Sequence, residues 1–134
     1  MQKAIVTTLL TLVIFSIKTI AQETIYFNAD WKKTSKVNAV YYRPLPKQKT
    51  KGKWVVDYFI SGEKAQEVYH VNGKKDGMYS LFYKTGELKT TGKYINGKKE
   101  GIWKTFSKHG KIKEKGKYQN GEKVGIWKTF YKNI

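Results

Sequence analysis

A 24-residue repeat organises the second half of this 134-residue chain. Glycines and aromatic residues recur at this step, which is the length of one supersecondary unit stacked on copies of itself. The period therefore predicts a repeat array, which presents a surface. Three glycine series and one aromatic series carry the repeat: Gly62, Gly86 and Gly110; Gly73, Gly97 and Gly121; Gly77, Gly101 and Gly125; and Tyr58, Phe82, Phe106 and Phe130.

Each repeat predicts a β-hairpin. In the clearest unit, two alternating β-rich runs, 101–107 and 111–118, flank the turn Lys108-His109-Gly110. A glycine that ends such a turn predicts a three-residue loop with a G1 bulge. Asn-Gly pairs join one repeat to the next and predict tight hairpin turns. The sequence thus predicts an all-β fold, an elongated antiparallel meander of consecutive β-hairpins.

The three-residue loop also predicts a register. A two-residue loop would shift the pairing by one residue, so that Trp103 would lie opposite Gly116 in place of Ile102. The pairs expected with the longer loop are Phe106–Ile112, Lys104–Glu114 and Ile102–Gly116, and one repeat earlier Phe82–Leu88, Ser80–Thr90 and Met78–Gly92.

Residues 1–21 have the pattern of a cleaved signal peptide. Lys3 precedes an apolar run over 4–17, and Thr19-Ile20-Ala21 places small residues before the cleavage point. The run is short for a bilayer span, which needs about 20 residues. An uncleaved anchor and a buried helix are the alternatives. Cleavage predicts a protein exported from a Gram-negative bacterium to the periplasm, to the outer membrane or to the medium.

Two further regions follow. Residues 22–53 are a leader, with a short helical turn expected over 28–35, a strand over 37–42 and an exposed basic loop with two prolines over 43–52. Residues 54–134 hold about three repeats, of which the first is more divergent and the last is truncated.

The charge of the chain is strongly positive. Lysine and arginine number 27 against 10 acidic residues, for a net charge of +17, and Arg43 is the one arginine. Specific readout of phosphate or bases favours arginine's planar fork, so the sequence predicts no specific nucleic-acid site. The lysines are interpreted as the solvated face of a thin sheet. Weak contact with a polyanion or an anionic membrane surface is the alternative.

A stripe of rings is the candidate binding surface. Tyr79, Trp103 and Trp127 share one face at the 24-residue step, with Tyr83 and Tyr131 nearby. Such rings could hold a partner protein. The alternative is structural, with rings that cover the glycines of neighbouring strands. A second possible route to a partner is the open edge expected over 125–132, which could accept a strand from another chain.

Side chains for catalysis are scarce. The chain has no cysteine, and His70 and His109 belong to different repeats. The carboxylates are scattered among lysines, where ion pairing explains them, and no spacing predicts a metal or a cofactor. We therefore expect a protein that is not an enzyme and carries no cofactor.

The repeat resembles a known family. The run Asn96-Gly-Lys-Lys-Glu-Gly-Ile-Trp-Lys-Thr-Phe106, followed by a Gly-Lys-Ile turn and Gly116-Lys-Tyr118, is similar to the bacterial variant of the MORN repeat in the YwqK-type antitoxin family. The resemblance is strong over 73–131 and weaker over 54–72. It implies consecutive β-hairpins and a protein–protein interaction role, of the antitoxin or immunity type, without catalysis. A basic envelope protein that binds anionic polymers or lipid head groups is the alternative.

Overall fold

The structure is a computed structural model that describes residues 22–45 and 51–130. The predicted signal peptide, Tyr131 and the centre of the basic loop lie outside the described residues. The described residues form nine β-strands in one antiparallel sheet, ordered as in the chain, so the predicted all-β meander is confirmed. The strands are β1 Thr24–Phe27, β2 Tyr41–Pro44, β3 Gly52–Phe59, β4 Lys64–Val71, β5 Lys74–Phe82, β6 Leu88–Ile95, β7 Lys98–Phe106, β8 Ile112–Gln119 and β9 Glu122–Thr129.

Both predicted turn types are present. In the loop between β5 and β6, the Tyr83 N–H donates to the Glu87 carbonyl at 2.8 Å and the Gly86 N–H donates to the Tyr83 carbonyl at 2.9 Å. With Gly86 at φ 97°, this is the type I turn closed by a left-handed glycine. Between repeats, Asn96 and Gly97 both have positive φ, 49° and 83°, as a type I′ turn requires. The other turn glycines predicted from the repeat also have positive φ: Gly62, Gly73, Gly110 and Gly121.

The predicted register holds only next to the turn. Phe106 lies opposite Ile112, but Lys113 is then an extra residue, and Trp103 lies opposite Gly116. The longer loop was predicted correctly, while a second bulge in the even-numbered strand shifts every later pair. The predicted pairs Lys104–Glu114, Ile102–Gly116, Ser80–Thr90 and Met78–Gly92 are therefore wrong, and the structure has Thr105–Glu114, Trp103–Gly116, Ser80–Thr91 and Tyr79–Gly92.

The leader joins the sheet, which the sequence did not predict. Over 28–35, where a helical turn was expected, the Asn28 side chain instead accepts backbone N–H bonds from Asp30 and Lys32 and closes a turn after β1. A short 3-10 helix follows at Lys36–Asn38, and the predicted strand begins only at Tyr41. Arg43 and Pro44, predicted as loop, belong to β2. An Asx turn competes with the helix for the same N–H groups, which explains the correction.

The core is a single layer of side chains on one face of the sheet. Val55, Val68, Tyr79 and Trp103 are buried together, and partly buried neighbours pack against them: Leu81, Tyr94, Tyr118 and Trp127. We call this side the aromatic face and the opposite side the open face. Successive residues of a strand point to opposite sides, so each core residue is followed or preceded by a residue of the open face.

Candidate functional site

The rings of the aromatic face form a continuous ladder. Tyr94 meets Tyr79 at 5.5 Å and Trp103 at 5.2 Å between ring centroids, both edge to face. Tyr118 contacts Trp103 at 5.7 Å and Trp127 at 5.0 Å in the same way. Edge-to-face pairs at these distances each stabilise by about 0.5–1.5 kcal/mol beyond burial. The rings therefore pack against one another on a face that a second layer of strands or helices would otherwise cover.

Lysines spaced by 24 residues cover the ladder. The Nζ atoms of Lys75 and Lys99 lie 4.9 and 4.8 Å from the ring centroids of Tyr94 and Tyr118, and Lys123 lies 3.9 Å from that of Trp127. Ammonium groups are attracted to ring faces at this range. Their apolar stems lie along the rings, and Lys75 and Lys99 are partly buried there, whereas Lys123 is exposed and also pairs with Glu114.

Burial changes the acidity of this face. Burial, followed by the neighbouring Tyr94, raises the pKa of Tyr79 well above its usual 10, and burial also raises the pKa of Tyr94. Burial, followed by the charge of Arg43, lowers the pKa of Lys75. The same two causes lower the pKa of His70. Each shift disfavours the charged form, as expected for side chains removed from water.

The predicted ring stripe lies in this core. Tyr79 is 9% exposed and Trp103 only 3%, while Trp127 is partly buried. Tyr83 is half-buried and donates its hydroxyl to the Phe106 carbonyl at 2.8 Å, and Tyr131 lies outside the described residues. A partner would therefore find almost none of the Trp103 surface.

The structural interpretation of these rings agrees with the geometry. A Cβ atom built on Gly92 would overlap the ring of Trp103, and one built on Gly116 would overlap the ring of Trp127. Each tryptophan thus lies directly over a glycine of the preceding strand. Val68 takes the equivalent place where the ring above is the smaller Tyr79.

The open face carries an apolar side chain at the same 24-residue step. Each of these residues directly precedes a residue of the aromatic face, so it points to the other side of the sheet. Sequence reasoning missed the series because the rings beside it gave a stronger signal. Its members and their exposed fractions are Trp54 at 53%, Met78 at 52%, Ile102 at 51% and Ile126 at 84%.

A row of lysines crosses the open face beside these residues. Lys115 in β8 lies directly opposite Lys104 in β7 and directly opposite Lys128 in β9. Ion pairs among the described residues join Arg43 to Asp57, Lys64 to Glu67 and Lys123 to Glu114, and none of them involves this row. Like charges placed directly opposite destabilise a sheet. The lysine row is therefore a concentration of positive charge that the described residues leave unneutralised.

A shallow groove lies next to the lysine row. It encloses about 530 Å³ over β7–β9. The backbone of Gly116 and Gly125 forms part of its floor, while Ile102 and Ile126 contribute apolar walls. Lys115 and Lys128 line it too, so the groove joins apolar surface to positive charge.

A buried cluster of charged and polar side chains joins the leader strand β2 to β3 and β4 of the repeat array. Asp57 of β3 is fully buried and accepts hydrogen bonds from Arg43 Nε at 2.6 Å and Nη2 at 2.8 Å. Gln66 of β4 donates to the same carboxylate at 2.5 Å. The one arginine of the chain therefore makes a bidentate internal bond, the geometry to which its planar fork is suited. Sequence reasoning placed Arg43 in an exposed loop and missed this role.

Among the described residues, no group of three or more histidine, aspartate or glutamate side chains is placed to hold a metal ion. No helix in the described part of the chain has the length and apolar character to cross a membrane. No protein-family model, no curated protein and no solved structure matches this chain.

Proposed function

We propose that this chain is a non-catalytic, exported repeat protein that binds another protein through the open face of its sheet. The observation that carries the proposal is the series of exposed apolar side chains, one per repeat, on a sheet face that no described element covers. Exposed apolar surface in a contiguous patch is typical of interaction sites. Because the aromatic face packs its own rings, the open face is the side available to a partner.

The resemblance to bacterial MORN-variant antitoxins supports a partner of the toxin or effector type, held by an antitoxin or immunity protein. The predicted signal peptide supports an encounter in the periplasm, at the outer membrane or outside the cell. An active site would need residues that do not recur from repeat to repeat, and the repeat array contains few of these. A binding module is thus the function that these features favour.

The lysine row favours a second candidate. A basic envelope protein could hold an anionic polymer or lipid head groups on Lys104, Lys115 and Lys128, whose charges lie on adjacent strands. Such binding depends on salt because it rests on exposed charge. The apolar series beside the row would contribute little to it.

A pull-down separates the two candidates. The full chain, including residues 1–21, is expressed with a tag at the carboxyl end and used to capture components of the cell envelope. The captured material is washed at about 0.1 M and then at about 1 M salt, where the screening length falls from roughly 10 to 3 Å. We expect one stoichiometric protein to remain through the second wash. An Ile102→Ser/Ile126→Ser variant should fold and lose it, since both side chains are at least half exposed.

Other outcomes would contradict the proposal. Heterogeneous anionic material that leaves in the high-salt wash would establish the polyanion candidate. A protein retained equally by wild type and variant would place the interface elsewhere, with the edge strand β9 as the next surface to test.

A further inference from the structure

The lysine row has the spacing of one helix face. Neighbouring strands lie about 4.8 Å apart, so Lys104, Lys115 and Lys128 span about 10 Å across β7–β9. Residues i, i+4 and i+7 of an α-helix lie on one face and span about 10 Å at 1.5 Å per residue. Three carboxylates at those positions would meet the three ammonium groups in order.

Apolar side chains flank the lysine row on both sides. Ile126 lies two residues before Lys128 in β9, and Phe130, the residue after the end of β9, lies two residues after it and continues the pairing by donating its N–H to the Lys113 carbonyl. The alternation of a strand then puts all three side chains on the open face. Ile126 is 84% exposed and Phe130 is 47% exposed. In β7, Ile102 and Phe106 flank Lys104 in the same way. The row of Ile102 and Ile126, which Lys117 of β8 interrupts, lies about 13 Å from the row of Phe106 and Phe130 at 3.3 Å per residue, which accommodates a helix of about 10 Å diameter.

We propose that the open face over β7–β9 binds an acidic amphipathic helix of a partner protein, with its carboxylates on Lys104, Lys115 and Lys128 and its apolar side chains against Ile102 and Ile126. This inference rests on the proposed function, since it names the chemistry of the partner. The charge of the row selects acidic residues, and the apolar rows select leucine-like neighbours on the same helix face.

The apolar groove distinguishes a protein helix from an anionic polymer. A polyphosphate or polysaccharide would neutralise the lysines but would leave Ile102 and Ile126 against a polar chain. A helix buries them, and removal of this apolar area from water stabilises the complex. Gly125 adds no side chain to the groove, so the side chains of a helix can approach its backbone closely.

A synthetic peptide tests the inference directly. The probe is a capped, dye-labelled peptide of about 18 residues, long enough to populate a helix, with glutamates at the i, i+4, i+7 positions and leucines beside them. One control peptide replaces the glutamates with glutamine, and another replaces the leucines with serine. Binding to the full chain is followed by fluorescence anisotropy, and helix formation by circular dichroism.

We expect the glutamate–leucine peptide to bind and become helical. Replacing Lys104, Lys115 and Lys128 together by glutamine should weaken binding about tenfold, the combined effect of three exposed ion pairs. Lys84→Gln, in the exposed loop between β5 and β6, is the control with a single charge removed and should change binding less than twofold. Ile126→Ser should weaken binding about fivefold through lost apolar contact. Thermal unfolding of each variant verifies that it is folded, and if the triple variant is not, Lys115→Gln alone is measured.

Three results would overturn the inference. Wild type could fail to bind the probe, the serine control could bind as well as the leucine peptide, or Lys84→Gln could weaken binding as much as Lys115→Gln. Equal binding of polyphosphate and peptide, both insensitive to Ile126→Ser, would mean a polyanion surface. Retention of a protein in the pull-down together with failure of the peptide would reject the acidic helix alone and leave the interaction module standing.

Discussion

At the scale of single residues, the size of each ring is matched to the residue beneath it. Trp103 lies over Gly92 and Trp127 over Gly116, whereas the smaller Tyr79 lies opposite Val68. The three pairs occupy equivalent positions in successive repeats. The chain thus contains two solutions to one packing problem, tryptophan with glycine and tyrosine with valine, and the exchange between them can be tested.

Gly92→Val should lower the free energy of unfolding by about 3 kcal/mol, because the valine side chain would overlap the Trp103 ring. Overpacking of a core destabilises a protein by about 1–3 kcal/mol or more. Adding Trp103→Tyr should recover much of that loss by recreating the pair Val68–Tyr79. Urea unfolding of wild type, both single variants and the double variant measures the coupling between the sites. Additive effects would show that the ring does not depend on the glycine beneath it.

The same residues show how far the sequence could predict the packing. The 24-residue step placed Tyr79, Trp103 and Trp127 on one face correctly. Their neighbours were wrong because Lys89 and Lys113 are extra residues in β6 and β8, and a lysine in a strand gives no sign of a bulge. Sequence reasoning left open whether these rings bind a partner or cover the glycines of neighbouring strands, and the burial of Trp103 together with its position over Gly92 agrees with the second interpretation.

At the scale of strands, the lysine row is costly to the free protein. Lys115 lies opposite a lysine on each side, and such pairs disfavour the sheet. An arrangement that weakens the free protein while it supplies a charged surface is typical of functional sites, where stability is lost for binding. The strand β8 thus carries a feature that packing alone does not explain.

Lys115→Gln should stabilise the free protein by about 0.5 kcal/mol, because it removes repulsion from both neighbouring strands. Lys113→Gln is the matched control in the same strand, since Lys113 is the bulge residue and no lysine is paired with it: β7 has no partner for it, and on the β9 side its carbonyl accepts the Phe130 N–H. Chemical denaturation of the three proteins at low salt gives the comparison. The gain should shrink at high salt, and an equal gain in both variants would instead reflect the general positive charge of the chain.

The elements that sequence reasoning predicted best are those with local causes. Asn96-Gly97 forms its turn because both residues tolerate positive φ, so two adjacent residues suffice to predict it. The pairing of the leader strand β2 with β3 could not be predicted from adjacent residues in this way. Tyr41 and Tyr42 pair with Phe59 and Tyr58, a contact that depends on how the chain returns after the basic loop. The residues of β1 gave no repeat signal at all.

At the scale of the whole molecule, each described strand is hydrogen-bonded only to the strands before and after it, so the sheet is close to a one-dimensional array. Stability in such arrays is the sum of units and of the interfaces between neighbours. The interface between β2 and β3 is the shortest, with two residue pairs. The buried contact of Arg43 with Asp57 lies at this point and compensates for the short ladder.

The Arg43–Asp57 pair should therefore control the leader without controlling the distant repeats. Arg43→Met leaves the Asp57 carboxylate buried without its cation, and breaking a buried pair costs about 3–5 kcal/mol. We expect amide hydrogen exchange to accelerate strongly in β1 to β4, while β7 and β8 keep their protection. Arg43→Met/Asp57→Leu removes both charges and should restore most of the protection, as apolar replacements of buried pairs do. Uniform loss of protection from β1 to β9 in the single variant would mean that the sheet unfolds as one cooperative unit, in which case neighbour contacts alone do not account for its stability.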